Sequence, residues 1–389
     1  MSLPLRSSTG ELENNSNVLS EADKIDPPPD VYPPPPPPLC QFDSSIEAFQ
    51  FLQRFARDNG FAVVKRRSKK RPGSDDVHYI TVENLLGVES VHVPSYTWFK
   101  SDNSQTLDWD LQERHLEFLI RSGLHGIVIA GANGEAATLS TEEKTKLLRL
   151  TRSIAKRLGR ADLPITCGTY GGCTRSIIQD TRVAADAGAN FVLVLAPFFH
   201  FALDSATVVA FFQEVADASP IPVVIYNYPG MVNGLNVNWK MLEILGEHPN
   251  IVAAKLTCGT ISSVTRTAAK FGPGLDTADP AFVTLAGQSD CLANLYPKTC
   301  MEIFDLYNSG KRAEAEDLQR RLAVVEYEFV KGGINGTKWV VAKYLGYPEE
   351  NSRCRRPHPQ FLDVEKREWI VKQVHPLKEA EDIIVARHN

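Results

Sequence analysis

Ile251-Val-Ala-Ala-Lys-Leu-Thr257 is an apolar run with a lysine near its end. The run reads as a buried strand of a parallel sheet. An ammonium group there must be paired, become neutral, or have a chemical task. Attack on a carbonyl carbon to form a Schiff base is one such task. Taken alone, Lys255 has a blander reading, in which its stem carries the charge to solvent or to a carboxylate at the strand end.

The neighbouring segments change the balance. Upstream, Ile221-Pro-Val-Val-Ile-Tyr-Asn-Tyr-Pro-Gly230 is a second strand that ends at Tyr226. Further upstream, Gly126-Ile-Val-Ile-Ala-Gly-Ala-Asn-Gly-Glu135 is a strand running into a glycine-rich turn. Three strand ends thus carry an amine, a phenol and a turn of exposed backbone N–H groups: a nucleophile, a proton-transfer group and a carboxylate cradle. Working outward, strands are predicted at 90–94, 126–131, 164–169, 191–197, 222–227, 251–257 and 282–287. Most recur at roughly thirty-residue intervals, the period of a β/α unit. Ser140-Thr-Glu-Glu143 is a capping box, followed at helical spacing by Leu147, Leu150, Ile154 and Leu158. Residues 300–345 read as helices that close the domain, with Ala313, Leu318, Leu322 and Val325 on one face of a helix over 311–327.

These words, in this order, resemble the dihydrodipicolinate synthase / N-acetylneuraminate lyase family of class I pyruvate aldolases over residues 88–385. The resemblance rests on Gly131, Gly134 and Glu135, on Tyr226, Asn227 and Pro229, and on Lys255 with Thr257 and Gly259. It implies an α/β fold, a (β/α)8 TIM barrel with its active site at the C-terminal strand ends. It implies that Lys255 forms an imine with a 2-oxo acid, that Tyr226 moves the proton of the reacting hydroxyl, and that the turn of Gly131, Ala132 and Asn133 holds the substrate carboxylate. No cofactor and no metal are called for, since the imine takes the place of a Lewis acid. The family also tends to form homo-oligomers.

Departures from the family narrow the substrate. Its synthases carry two threonines in the turn, a second tyrosine after strand four, and an arginine after Tyr-Asn-x-Pro. This chain has Ala132 and Asn133, then Phe198-Phe-His200, then Met231-Val-Asn233. An apolar residue cannot replace a bidentate cation. Asn133, 219–222 and 248–251 look closer to 4-hydroxy-2-oxoglutarate and 2-keto-3-deoxy-sugar-acid aldolases. The favoured reading is cleavage of a 2-keto-3-deoxy acid to pyruvate and an aldehyde. Two alternatives stay open: a 4-hydroxy-tetrahydrodipicolinate synthase-like enzyme, and an inactive chimera with a nucleic-acid-binding fragment. His200 is near the pocket by sequence, with a rim position as its blander role.

Size and charge agree with a barrel of 86–389 plus appendages. The chain has 389 residues, 43% of them hydrophobic, and a net charge of −5, which makes no general case for nucleic acid. Its 7 cysteines form no metal-type pair and read as reduced thiols. No secretory h-region and no membrane span are visible, so a cytoplasmic protein is expected. Residues 1–45 are polar and proline-rich and read as a disordered tail. Residues 46–85 read as a small α+β fragment. They resemble the opening half of the far-red-impaired-response type of DNA-binding domain, without that family's zinc ligands, and carry the basic run Lys65-Arg-Arg-Ser-Lys-Lys-Arg71. A solvated charged loop is the blander reading of that run. One barrel piece is missing. Cys291 follows Asp290 where the family continues with a helix and a glycine-rich eighth strand, so roughly twenty residues of a complete (β/α)8 barrel are absent. An open barrel exposes two strand edges, with a cost in stability and activity.

Overall fold

The computed structural model describes residues 90–198, 203–271, 282–286 and 291–388. All belong to the second of two units into which the chain divides, Ser44–Asn389. The expectations for 1–45 and 46–85 lie outside the described residues.

Seven strands form one parallel sheet in sequential order: β1 (His92–Pro94), β2 (Gly126–Ile129), β3 (Ile165–Thr169), β4 (Phe191–Leu195), β5 (Val223–Asn227), β6 (Ile251–Leu256) and β7 (Val283–Ala286). Each predicted strand is present, shortened by one or two residues at one or both ends. Between strands come α1 (Trp109–Arg121), α2 (Thr141–Arg157), α3 (Thr174–Asp186), α4 (Ser205–Ala218), α5 (Trp239–Leu245) and α6 (Ile261–Phe271). The capping box is formed: Ser140 Oγ accepts from the Glu143 N–H at 3.2 Å, and the Glu143 carboxylate accepts from the Ser140 N–H at 3.0 Å. Two donors at the helix start that water would otherwise satisfy are thereby paired.

Side chains alternate across the sheet, because successive residues of a strand point to opposite faces. Ile127, Ile129, Val192, Val194, Val223, Ile225, Ala254 and Leu256 join Leu116, Leu147, Ile154, Ile177, Phe212 and Leu242 of the helices in the outer core. Val128, Phe191, Leu193, Leu195, Val224, Tyr226, Ala253 and Val283 form a separate cluster on the inner face. A parallel sheet covered by helices on its outer face and packed with its own side chains within is a TIM-barrel-like α/β fold.

No eighth strand occurs among the described residues, and β1 and β7 are the sheet's two edges. The edge of β1 is managed by one side chain. Ser95 N–H bonds back to Val128 O, so the Pro94 carbonyl and Tyr96 N–H face away from β2. Asn294, fully buried in a short 3₁₀ turn (Leu292–Asn294), takes both: its Nδ2 donates to Pro94 O at 3.0 Å and its Oδ1 accepts from Tyr96 N at 3.3 Å. A side-chain amide offers the same donor and acceptor as a peptide group, so Asn294 stands in for one residue of a pairing strand. Its Oδ1 also lies 3.1 Å from His115 Nε2, and His115 Nδ1 lies 3.3 Å from the Tyr347 hydroxyl. Since Asn294 Oδ1 can only accept, this network assigns the proton of His115 to Nε2.

The chain ends in a second apolar layer of α7 (Pro297–Asn308), α8 (Arg312–Phe329), α9 (Gly333–Leu345) and α10 (Val364–His388). Leu318, Leu322, Val325 and Phe329 of α8 pack with Val340, Val341, Ile370, Val374 and Leu377, and with Tyr96 and Trp98 after β1. Ala313, expected on that face, is exposed; Ala315 is buried instead, three residues before Leu318. Among the described residues no helix is long and apolar enough to cross a membrane, and no disulfide joins the six described cysteines to one another.

Asn294→Ala removes the partner of two edge groups and of a buried imidazole. Leaving such groups unpaired costs about 1–3 kcal/mol each, so denaturant unfolding of the full chain should show a loss of at least about 3 kcal/mol. An unchanged midpoint would remove Asn294 from this role.

Burial pushes His115 down to about 4, with the Asn294 hydrogen bond opposing and the Lys338 charge reinforcing the shift. The unfolded chain therefore binds a proton between about 6.5 and 4 that the folded one refuses. The stabilising contribution is complete above the unfolded value and is lost as pH falls towards 4, by about 1.4 kcal/mol per pH unit. Stability measured across that window should fall less steeply for His115→Gln than for the native chain.

Candidate active site

The 131–135 turn rests on the end of β1. A Cβ on Gly134 would lie 2.9 Å from Ser95 O, and the Thr97 hydroxyl donates to Gly134 O at 2.7 Å. Only glycine lets the backbone come that close. Gly134 N donates to Gly131 O, Glu135 N to Ala132 O and Ala136 N to Gly131 O. Those bonds consume the later N–H groups. The N–H groups of Ala132 and Asn133, both half-buried, are paired with no backbone acceptor among the described residues. Two adjacent N–H groups left over at a turn form a cradle suited to a carboxylate.

Lys255 and Tyr226 are brought together. Leu195 pairs with Tyr226, Tyr226 with Lys255, and Lys255 with Leu285, so these residues form one row across β4 to β7. Tyr226 and Leu285 belong to the inner cluster or pack on it, as do Ala132, Phe198, Tyr228 and Met231. Tyr226 is 4% exposed and Lys255 is half-buried, with its Nζ 5.1 Å from the centre of the Tyr226 ring. Tyr228 leans on the same ring at 5.8 Å. Asn227 fixes the following loop: its Nδ2 donates to Asn236 Oδ1 and Val237 O, and its Oδ1 accepts from Val237 N. Asn233, left-handed at φ 54°, donates from Nδ2 to Phe198 O at 2.6 Å and so ties the loop after β5 to the end of β4. Phe199 and His200 lie outside the described residues.

His92 on β1 also takes part in the site's electrostatics. Burial lowers its pKa to about 4, helped by the charges of His125 and Lys255. Its ring covers Gly126, where any Cβ would come within 2.5 Å of it. The imidazole thus remains neutral at ordinary pH and adds no second positive charge beside Lys255.

Sequence reasoning missed the group that holds the cradle in place. Glu135 closes the turn with a left-handed backbone, φ 56°, and its carboxylate meets the Lys338 ammonium of α9 at 2.8 Å. Both side chains are wholly buried. The Arg355 N–H donates to the other Glu135 oxygen at 2.8 Å, and Lys338 also donates to Arg353 O. The Lys338 ammonium lies 4.9 Å from the centre of the Phe99 ring and 5.6 Å from that of Trp98. Arg355 joins Glu143 at 2.7 Å and caps Thr138 O and Gln105 O. A signal was present: Lys338 precedes Trp339-Val-Val-Ala342, and a lysine in an apolar helix needs a partner as much as one in an apolar strand does. Among the described residues no group of three or more His, Cys, Asp or Glu side chains could hold a metal ion.

Comparison with known proteins agrees with this geometry. Residues 90–375 match the profile of the dihydrodipicolinate synthetase family. A protein of Emericella nidulans named "Probable 4-hydroxy-2-oxoglutarate aldolase, mitochondrial" is 37% identical over 280 residues, which cover 69% of this chain and 90% of that one. The L-threo-3-deoxy-hexylosonate aldolase of Hypocrea jecorina is 35% identical over 274 residues, covering 66% and 87%. The crystal structure of a dihydrodipicolinate synthase family protein from Coccidioides immitis superposes with a TM-score of 0.65 at 32% identity, covering 76% of this chain and 97% of that one.

Lys338→Met leaves the Glu135 carboxylate buried without its cation. Breaking such a pair costs about 3–5 kcal/mol, and unfolding of the full chain should show it. Glu135→Gln combined with Lys338→Met should recover part of the loss. If the single variant unfolds like the native chain, the pair does not hold the turn.

Proposed function

The chain belongs to the dihydrodipicolinate synthetase family, and we propose that it is a class I aldolase that cleaves a 2-keto-3-deoxy acid to pyruvate and an aldehyde. The observation that carries this reading is the juxtaposition on adjacent strands of Lys255 and Tyr226, facing the same inner surface, with the amine 5.1 Å from the ring centre.

The steps follow from the groups at hand. The N–H groups of Ala132 and Asn133 hold the substrate carboxylate and so aim the C2 ketone at the Lys255 amine. Attack by the neutral amine and loss of water give an imine, and the Tyr226 hydroxyl proton passes to its nitrogen, so that an iminium and a phenolate form together. Tyr226 accepts the proton of the C4 hydroxyl. The C3–C4 bond breaks, its electron pair moves to the C2–C3 bond of an enamine on Lys255, and the aldehyde leaves. A proton returned to C3 and addition of water then release pyruvate and restore the amine.

The far end of the substrate meets Met231, Val232, Phe198 and Tyr228, which line or pack on the inner cluster. A surface of that kind offers no bidentate partner to a second carboxylate. A neutral sugar-acid tail therefore fits better than the dicarboxylate 4-hydroxy-2-oxoglutarate, and better than a synthase substrate. The partners in this reading are the 2-oxo acid and further copies of the chain, in the cytoplasm, with no nucleic acid or membrane involved.

Borohydride reduction in the presence of pyruvate, followed by mass spectrometry, should place the adduct on Lys255. Lys255→Ala should lose both adduct and cleavage. Tyr226→Phe should keep the adduct and lose about 10²–10⁴-fold in turnover, the usual worth of a positioned acid–base group. An adduct on another lysine, with none on Lys255, would falsify the reading. For the substrate, cleavage of 2-keto-3-deoxy sugar acids should outpace condensation of pyruvate with aspartate semialdehyde; the reverse order returns the chain to the synthases.

A further inference from the structure

Tyr170 carries a polar atom that the steps above leave unused. Thr169 at the end of β3 pairs with Val194, and Leu195 pairs with Tyr226. Tyr170, one residue further on, is therefore level with the row of Leu195, Tyr226 and Lys255. Tyr170 follows the last residue of β3, at the rim of the sheet, where its side chain packs against both the outer core and the inner cluster. Its ring packs against the inner cluster that contains Tyr226 and touches Ala132. β3 and β5 are two strand spacings apart, roughly 10 Å at the backbone, a span that two tyrosine side chains at the same level can bridge. The Tyr170 hydroxyl is shielded from solvent and has no hydrogen-bond partner among the described residues. Buried hydroxyls are nearly always paired, and an exception beside reacting groups calls for a partner that arrives during the reaction.

We infer that Tyr170 is a positioning residue: its O–H donates a hydrogen bond to the Tyr226 oxygen when that oxygen is negative, ready to take the substrate's hydroxyl proton. The inference rests on the reading of Tyr226 as the proton acceptor. One proton moves, from the substrate hydroxyl to Tyr226, while Tyr170 keeps its own. Burial raises the Tyr170 phenol well above its ordinary range, and the charge of Tyr226 adds to the rise. It can therefore serve as a donor to an anion without ionising itself. Tyr226 is faced by Lys255 from β6 and by Tyr228 from its own loop. Tyr170 is faced by the Lys144 ammonium of α2, 6.0 Å from its ring centre, and by Cys167, a thiol that burial pushes up to about 12. Ala132 supplies no hydroxyl here, so the donor comes from Tyr170.

Tyr170→Phe deletes one oxygen that makes no bond in the resting protein, so thermal stability should not fall. Full-length chain labelled with ¹³C at the tyrosine ring carbon bearing the hydroxyl, with the Phe variants assigning the resonances, gives a readout without substrate. The Tyr226 signal should titrate about one to two pH units higher in Tyr170→Phe, the equivalent of one hydrogen bond to a charged group. With a 2-keto-3-deoxy sugar acid, kcat should fall about 10–100-fold, and the ascending limb of its pH profile should move up. KM and pyruvate trapping on Lys255 should stay as in the native chain. An unshifted Tyr226 titration, or a lowered melting temperature, overturns the inference. If the titration shifts but the native chain traps no pyruvate, the contact stands and the aldolase reading falls.

Discussion

A carboxylate and an ammonium with no water around them must find each other, and Glu135 and Lys338 do so at 2.8 Å with both side chains fully buried. The cradle turn at the mouth of the sheet is held by this pair. Glu135 ends the cradle turn; Lys338 belongs to α9, in the last third of the chain. The pair and the Arg355 N–H fill the carboxylate's acceptor sites, so neither charge is left uncompensated. A buried pair of this kind adds little net stability over an apolar substitute. What it supplies is direction: with its carboxylate held at both oxygens, Glu135 is kept at an otherwise unfavourable φ of 56°. The N–H groups of Ala132 and Asn133, which have no backbone acceptor among the described residues, depend on that turn. The C-terminal helices are therefore part of the site's construction and not merely a cover for it.

The open edge is the second constraint. A strand edge presents unpaired donors and acceptors, and a closed barrel removes them by joining its first and last strands. Here the residues after β7 return to β1 as a 3₁₀ turn, and Asn294 pairs with the Pro94 carbonyl and the Tyr96 N–H in place of a strand. The arrangement is local. It satisfies the C-terminal end of β1, next to the cradle, where an unpaired carbonyl would disturb Ser95 and, through it, Gly134. His115 and Tyr347 continue the network to α1 and the end of α9, so the repair of one edge is anchored in two helices.

The sheet was legible because its strands are short, apolar on both faces and evenly spaced, and a parallel sheet under helices demands that pattern. The ends of strands were overextended because pairing stops before apolar character does: Ala130 and Gly131 continue the hydrophobic run of β2, but φ at Ala130 is already 54°. Lys255, Tyr226 and the turn could be read from chemistry at successive strand ends, and the structure puts the first two side by side. Lys338, Tyr170 and Asn294 could not be read so easily. Lys338 and Asn294 have roles set by partners far away in the chain, 203 residues for Lys338 and Glu135 and 200 for Asn294 and Pro94. No local periodicity encodes such distances. Ala313 was misplaced for a smaller reason. In α8 the buried face runs Ala315, Leu318, Leu322, Val325, and two alanines two positions apart differ only in which side of the helix the neighbours approach.

The inner face itself limits what chemistry can take place there. Its walls are Val128, Leu193, Leu195, Val224, Val232 and Val283, none of which can stabilise charge, and the described polar atoms that reach it are few: an amine, two or three phenols and the cradle's N–H groups. In such surroundings an ionic intermediate is tolerated only where a fixed donor or an opposite charge meets it. His92, held neutral by burial, adds no positive charge to that face. In the proposed reaction, a Lys255 nitrogen that becomes an iminium would place its positive charge beside the Tyr226 ring and oxygen at the moment when that oxygen needs to be negative. The two charges are created together and cancel together, so the apolar wall never has to accommodate either alone. In the proposed reaction that mutual dependence would account for the amine and the phenol occupying paired positions on adjacent strands.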